Sequence, residues 1–177
     1  MIQAEGIFAE GIFAGGATKP YIEEIYDSDG NLIDVKLYGY TKIRDSAFYV
    51  CGNLALTSLP EGITSINDSA FIDCTNLALT SLPAGLTSIG QYAFGYCENL
   101  ALTSLPKGIT SIGYYAFAHC TGLTSLTFLG TPTSIASSAF QNCTNLTTIN
   151  VPWAEGAVAN APWGATHATI NYNYTGG

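Results

Sequence analysis

The strongest constraint on this chain is a repeat of 23 residues. An Ala-Phe-x-x-Cys pattern occurs five times, and a leucine follows each cysteine by three positions. A unit of this length is too small to bury its own apolar residues, so each unit must stack on its neighbours to form a continuous core. The sequence therefore predicts a solenoid of about five coils. The phenylalanines that mark the coils are Phe48, Phe71, Phe94, Phe117 and Phe140.

Each repeat unit is predicted to contain a short strand and a short helical turn. The segment Leu-Ala-Leu-Thr-Ser-Leu-Pro has a strand pattern, which its proline ends because proline cannot donate the next ladder hydrogen bond. A short extended piece with the sequence Ile-Thr-Ser-Ile or Leu-Thr-Ser-Ile follows. The Phe and Cys of the repeated pattern stand three residues apart, which places them on one face of a helical turn.

The full pattern, L-x-x-x-x-L-P-x-x-I-x-x-I-G-x-x-A-F-x-x-C-x-N, resembles the BspA-like, or treponemal, class of leucine-rich repeats. It covers roughly residues 43–152. The resemblance implies a right-handed coil of short parallel β-strands with short helical turns. It also implies a bacterial or prophage-encoded protein, in a family whose members are often surface proteins that bind host or bacterial partners.

Four segments follow from the extent of the repeat. Residues 1–16 are predicted to form an apolar N-terminal arm, and residues 17–42 a β-hairpin that caps the first coil. The solenoid spans residues 43–152, and residues 153–177 form a mixed C-terminal cap. In this cap, two tryptophans are expected to cover the open end of the core.

The stretch Tyr-Asp-Ser-Asp-Gly-Asn-Leu-Ile-Asp faintly resembles a calcium loop. In it Gly30 follows Asp29 directly, and the twelfth position counted from Asp27 is Tyr38, where an EF-hand needs glutamate. A turn that joins two strands explains the same residues. We therefore predict a hairpin turn and no metal site here.

Three leucines, Leu56, Leu79 and Leu102, lie one place earlier than the apolar residue of the family pattern. In one interpretation, a local bulge turns them inward and turns the threonines that follow them outward. In the other, the leucines line an exposed apolar stripe, which on a soluble protein marks a surface for a partner or for self-association.

Two further sets of residues are candidates for partner contacts. The first is a group of amphipathic side chains that suits a binding surface; it consists of Tyr38, Tyr40, Tyr92, Tyr114 and Tyr115. The second set is in the N-terminal arm, where Glu-Gly-Ile-Phe-Ala occurs twice; it consists of Ile7, Phe8, Ile12 and Phe13. These arm residues are too apolar for a free tail, so they either pack on their own domain or dock on another subunit.

The five cysteines are predicted to be small buried apolar groups. Equivalent positions in stacked coils point in parallel, about 4.8 Å apart, which exceeds the ~3.8 Å mean Cβ separation of a disulfide. The chain has no Cys-x-x-Cys pair, no Gly-x-Ser-x-Gly elbow, no phosphate loop and no plausible acid pair. No catalytic, metal-binding or cofactor-binding residue is predicted, and we expect no enzyme activity.

Charge excludes some partners. Thirteen acidic residues oppose five basic ones, giving a net charge of −8, which argues against binding nucleic acid or an anionic membrane surface. No apolar run approaches the ~20 residues of a membrane-spanning helix, and no signal-peptide pattern is visible at the start.

Two functions remain. The first is a non-enzymatic recognition or adhesion module, extracellular or on the cell surface, that presents its repeat surface to a protein or glycan partner. The alternative is a structural decoration or appendage subunit of a phage particle or other multi-copy assembly, anchored through the N-terminal arm. The alternative would place the protein in a virion and requires self-association or docking on a larger particle.

Overall fold

The structure is a computed structural model and describes residues 20–176. Within this range the chain forms eleven strands and no helix. The strands are β1 Tyr21–Tyr26, β2 Leu32–Tyr38, β3 Lys42–Ile43, β4 Ser65–Ile66, β5 Ser88–Ile89, β6 Ser104–Leu105, β7 Ser111–Ile112, β8 Ser125–Phe128, β9 Ser134–Ile135, β10 Thr148–Asn150 and β11 Thr169–Asn171.

A β-hairpin begins the described part of the chain, as predicted. Strand β1 pairs antiparallel with β2. In the turn between them, one carboxylate oxygen of Asp27 accepts the backbone N–H groups of Asp29 at 2.9 Å and Asn31 at 2.8 Å. The residues that resemble a calcium loop therefore satisfy one another as a turn.

The coils stack through two parallel sheets. One sheet has the strand order β3-β4-β5-β7-β9. In it each residue pairs with the residue 23 positions later in the next strand, as Ile66 does with Ile89. The other has the order β11-β10-β8-β6 and covers the C-terminal half. The Leu-Ala-Leu-Thr-Ser-Leu segments of the first two units form no strand, so the expectation of a strand there is wrong. Successive segments are instead joined by backbone hydrogen bonds outside a regular ladder, such as the bond from the N–H of Ala78 to the carbonyl of Leu56 at 3.0 Å.

The predicted helical turn at Ala-Phe-x-x-Cys is also wrong, for a definite reason. Alternate backbone N–H groups in this segment donate to carbonyl groups of the next coil. The N–H of Phe48 donates to the carbonyl of Ala70 at 2.7 Å, and that of Val50 donates to the carbonyl of Ile72 at 2.9 Å. Those groups cannot form bonds along a helix, so the chain makes consecutive β-turns instead. Each is closed by an N–H that donates to the carbonyl three residues earlier, as that of Tyr49 does to Ser46. The phenylalanine and cysteine still share the buried face, as the spacing predicts.

The solenoid has about six turns, one more than predicted. Residues after 152 continue the winding, because β11 pairs parallel with β10 and the N–H of Phe140 donates to the carbonyl of Trp163 at 2.9 Å. Trp153 and Trp163 are buried and pack edge-to-face, with ring centroids 6.3 Å apart. They close the end of the core, as the sequence suggested.

The core is a column of stacked phenylalanine rings surrounded by aliphatic residues. Ring centroids of successive coils are 5.0, 5.5, 5.4 and 5.2 Å apart from Phe48 to Phe140. Among the described residues no polar or charged side chain is buried. All five cysteines are free and buried, which confirms that they pair in no disulfide.

The three early leucines point into this core. Leu56, Leu79 and Leu102 are all buried, and the threonines that follow them are exposed. The inward direction of these leucines is therefore confirmed, and the exposed apolar stripe is wrong. The physical reason is the alternation of extended chain, which starts at the preceding buried leucine: Leu54 points inward, Ala55 outward and Leu56 inward again.

Candidate partner-binding surface

One surface of the solenoid is built from the phenylalanine-containing turns, and we call it the turn face. Its backbone is held by the next coil, for example through the N–H of Tyr96, which donates to the carbonyl of Ala118 at 2.8 Å. Equivalent residues of successive coils therefore lie in columns. The turn face consists of residues 67–76, 90–99, 113–122 and 136–145.

Two coils of the turn face carry stacked aromatic side chains. Tyr92 stacks on Tyr115 with ring centroids 4.8 Å apart, and Tyr96 stacks on His119 at 4.4 Å. Tyr114 is 55% exposed and Tyr96 is 40% exposed. We call these five residues the aromatic cluster.

Sequence reasoning found part of this cluster. Of the tyrosines predicted to contact a partner, Tyr92 and Tyr115 stack on each other, and Tyr114 is exposed next to Tyr115 in the chain. Tyr96 and His119 were missed, although both follow a repeat phenylalanine by two positions and therefore occupy one column. That shared position is the signal that could have found them.

Small residues separate the two stacks. Between Tyr92 and Tyr96 lies Gly95, where an added Cβ would sit 3.3 Å from Cδ1 of Tyr92, so the missing side chain lets this ring approach the backbone. Ala118 occupies the same position in the next coil and is buried. The neighbouring coils have Ile72 and Gln141 there, so the small residues coincide with the stacks.

Four members of the cluster have a left-handed backbone. The φ angles are 53° at Tyr92, 62° at Tyr96, 56° at Tyr115 and 60° at His119. This conformation costs a residue with a side chain about 1–2 kcal/mol, and asparagine or aspartate tolerates it better than an aromatic residue. The same positions are left-handed in other coils, where Ser69, Asp73 and Asn142 occupy them. What sets the cluster apart is that aromatic side chains bear this strain.

His119 is fixed on both sides. Its ring stacks on Tyr96, and its Nε2 lies 3.0 Å from the amide nitrogen of Asn142 in the next coil. This contact ties the imidazole ring to the side-chain amide of the next coil. The cluster is thus held in position before any partner arrives.

The buried cysteine thiols of the described residues are unreactive. Burial raises the pKa of the Cys74, Cys97 and Cys120 thiols far above the ordinary value, and raises that of Cys143 to about 12. These thiols form no nucleophilic thiolate at neutral pH. Within residues 20–176, no group of three or more His, Cys, Asp or Glu side chains is placed to hold a metal ion.

A family pattern now accounts for the fold. The BspA type leucine-rich repeat region matches residues 41–157, in six copies. The chain belongs to the BspA-type leucine-rich repeat family. Among curated proteins, none matches it significantly.

Two solved structures show how the BspA-type chain compares with its relatives. A leucine-rich repeat protein from Bacteroides ovatus ATCC 8483 is 31% identical over 63% of this chain and 29% of its own, with a TM-score of 0.53. The leucine-rich repeat protein TpLRR of T. pallidum is 23% identical over 86% of this chain and 79% of its own, with a TM-score of 0.59. The second likeness shows the fold alone. The chain spans less than a third of the Bacteroides protein.

Two predictions about the BspA-type chain concern other regions. The arm residues Ile7, Phe8, Ile12 and Phe13 lie outside the described residues. Across residues 20–176, no helix is long and apolar enough to cross a membrane.

Proposed function

We propose that this BspA-type chain is a non-enzymatic recognition module that binds a partner outside the cell or at its surface through the aromatic cluster. One observation carries the proposal: two aromatic stacks, Tyr92 on Tyr115 and Tyr96 on His119, lie partly exposed on a rigid surface at positions that strain the backbone. The family's frequent occurrence among surface proteins supports the location.

The stacks suit recognition because they lose little freedom on binding. Tyrosine supplies a large apolar surface and a hydroxyl group from only two rotatable torsions, and it is enriched in binding surfaces. Mutual stacking and the Asn142 contact already restrict Tyr96 and His119. Such preorganisation reduces the entropy lost on association.

The test is binding of the full, fluorescently labelled chain to bacterial cells, epithelial cells and arrays of extracellular proteins and glycans. We expect Tyr96→Ala with His119→Ala to weaken binding by about tenfold or more, as loss of a central aromatic anchor does. The matched control is Tyr26→Ala with Tyr174→Ala, which removes two exposed tyrosines outside the turn face. Equal binding by the cluster variant and the wild type would overturn the proposal.

A second candidate is a decoration or appendage subunit of a phage particle or similar assembly. The apolar arm favours it, since Glu-Gly-Ile-Phe-Ala repeats within residues 5–14. Under this function, light scattering should find the full chain in multiple copies, and deletion of residues 1–16 should leave a folded monomer. Under the recognition function, partner binding survives the deletion. A full chain that is monomeric at all concentrations would count against the assembly.

A further inference from the structure

The turn face has charge of one sign only. Its segments contain three carboxylates, Asp68, Asp73 and Glu98, and no lysine or arginine. The basic residues of the described chain belong to the hairpin, the first coil and the loop after β6; they are Lys36, Lys42, Arg44 and Lys107. Lys36 already pairs with Glu23 at 3.4 Å. A ligand that lies on the turn face therefore meets aromatic rings and negative charge together.

Two of these carboxylates belong to residues near the stack of Tyr96 on His119, one in the same column and one in the same coil. Asp73 precedes Tyr96 by one coil in the same column, and its N–H donates to the carbonyl of Gly95 at 2.8 Å. Adjacent members of such a column are separated by roughly the 4.8 Å spacing of parallel chains. Glu98 follows Tyr96 by two residues, and both acidic residues are exposed.

The third carboxylate is already engaged. The Oδ1 atom of Asp68 accepts the backbone N–H of Gln91 at 2.7 Å, which ties two coils together. Within residues 20–176, the carboxylates of Asp73 and Glu98 accept no such bond, so these two remain to meet a ligand on this face.

Aromatic faces and carboxylates favour the same kind of ligand. A cation is attracted to the face of a tyrosine ring, and a guanidinium group also stacks on the ring while it pairs with a carboxylate. The net charge of −8 would further steer a positively charged partner toward the chain. An anionic glycan or lipid would be repelled. A neutral glycan could donate hydrogen bonds to the two carboxylates but would lack the charge pairing that a cation gains.

We infer that the aromatic cluster, with Asp73 and Glu98, binds an arginine-bearing or lysine-bearing segment of a partner protein. This inference rests on the proposed recognition function and names the chemical class of its partner. Arginine suits the site better than lysine, because its flat guanidinium group can stack on a ring and pair with a carboxylate at once.

The experiment titrates the full chain with a short capped Gly-Ser peptide that contains two arginines, and follows the amide and ring signals of Tyr96 and His119 by NMR. The same peptide with citrulline in place of arginine has equal shape and no charge. We expect saturable shifts at the cluster with arginine, weaker shifts with lysine and none with citrulline. Affinity should fall by about fivefold or more from low to high salt, since exposed charges are screened.

A pair of matched variants tests the site itself. Asp73→Asn with Glu98→Gln should weaken arginine-peptide binding by about tenfold, as expected for loss of charge-assisted contacts. Asp29→Asn with Glu155→Gln removes the same charge from the hairpin turn and the C-terminal region, and should have little effect. All four side chains are exposed, and circular dichroism checks that each variant folds.

The inference fails if citrulline and arginine peptides bind alike, or if the two variants bind alike. Its failure is separable from that of the proposed function. If Tyr96→Ala with His119→Ala abolishes cell or array binding while Asp73→Asn with Glu98→Gln leaves it intact, the recognition surface stands and its partner is not cationic. Binding to neutral glycans on the array would give that result directly.

Discussion

The Sγ atom of Cys97 lies 3.0 Å from the carbonyl oxygen of Phe71 in the preceding coil. The same oxygen also accepts the backbone N–H of Cys74 at 3.2 Å. This contact recurs along the solenoid at 2.9–3.0 Å; the other pairs are Cys74 with Phe48, Cys120 with Phe94 and Cys143 with Phe117. Cysteine suits the position because it is small and apolar and yet carries a weak donor.

Substitution of Cys97 separates these two properties. We expect Cys97→Ala to lower the free energy of unfolding by about 1–2 kcal/mol, through the lost hydrogen bond and a small cavity. Cys97→Ser keeps a donor that can reach the Phe71 carbonyl and should cost less than alanine. Urea unfolding at neutral pH measures both. If serine proves more destabilising than alanine, the position requires only an apolar group and the S–H contact contributes little.

The buried thiols also predict loss of stability at alkaline pH. Burial raises the pKa of Cys143 to about 12, whereas an unfolded thiol titrates near about 8.5. Below the pKa of the unfolded thiol, the thiol is protonated in both the folded and the unfolded chain, and its contribution to the free energy of unfolding is fully present. As pH rises toward 12, the unfolded chain loses its proton first, so the free energy of unfolding falls by up to about 1.4 kcal/mol per pH unit for each such thiol.

Urea unfolding of the wild type and of Cys143→Ala at pH 8, 9 and 10 tests whether the free energy of unfolding falls as pH rises. These values bracket the pKa of a free thiol, which is about 8.5. The variant should lose stability less steeply, by about the contribution of one thiol. Identical slopes would show that Cys143 titrates alike in both states. In the folded protein at pH 8, the buried thiols should also react slowly with a thiol reagent and rapidly once urea is added.

The winding and the core were predictable because a strict 23-residue period makes equivalent side chains stack. Phe94 must meet Phe71 and Phe117 if the coils are to share one core, whatever the local backbone does. The local backbone was not predictable in the same way. Spacing of three residues fits a helical turn as well as consecutive tight turns, and only the bonds to the next coil decide between them.

The candidate site was half visible in the sequence for a related reason. Tyr92 and Tyr115 are chemically alike and 23 residues apart, so the period pairs them. Tyr96 and His119 have the same spacing but different side chains, so the sequence pattern does not identify them as a pair. Their left-handed backbone also has no signature, because residues as different as Val50 and Asn142 adopt it in the same column.

The direction of Leu79 can be tested against its neighbour. Leu79 is fully buried and Thr80 is exposed, although the family pattern favours the reverse. We expect Leu79→Ala to lower the free energy of unfolding by about 2–5 kcal/mol, because it leaves a cavity in the core. Thr80→Ala should change it by less than about 0.5 kcal/mol. Urea unfolding of both variants measures the contrast, and equal effects would contradict the inward direction of Leu79.

The first coil has the same strained column as the turn face, which predicts a stabilising substitution at Val50. This residue is 51% exposed with φ at 57°, in the column that holds Asp73 and Asn142 in other coils. A β-branched side chain is costly in this conformation, whereas asparagine tolerates it. The backbone N–H bond from Val50 to Ile72 does not depend on the side chain. Val50→Asn should therefore raise the free energy of unfolding by about 1 kcal/mol.

In thermal unfolding, a gain of that size corresponds to a rise of roughly 2–4 °C in Tm for a chain of this length. Val50→Ala is the control, since alanine removes the branch but keeps a Cβ that disfavours a positive φ. Alanine should therefore gain less than asparagine. A lower Tm for Val50→Asn would mean that contacts of the valine side chain outweigh its strain. The same reasoning would then no longer support strain as a reason to assign function to Tyr96 and His119.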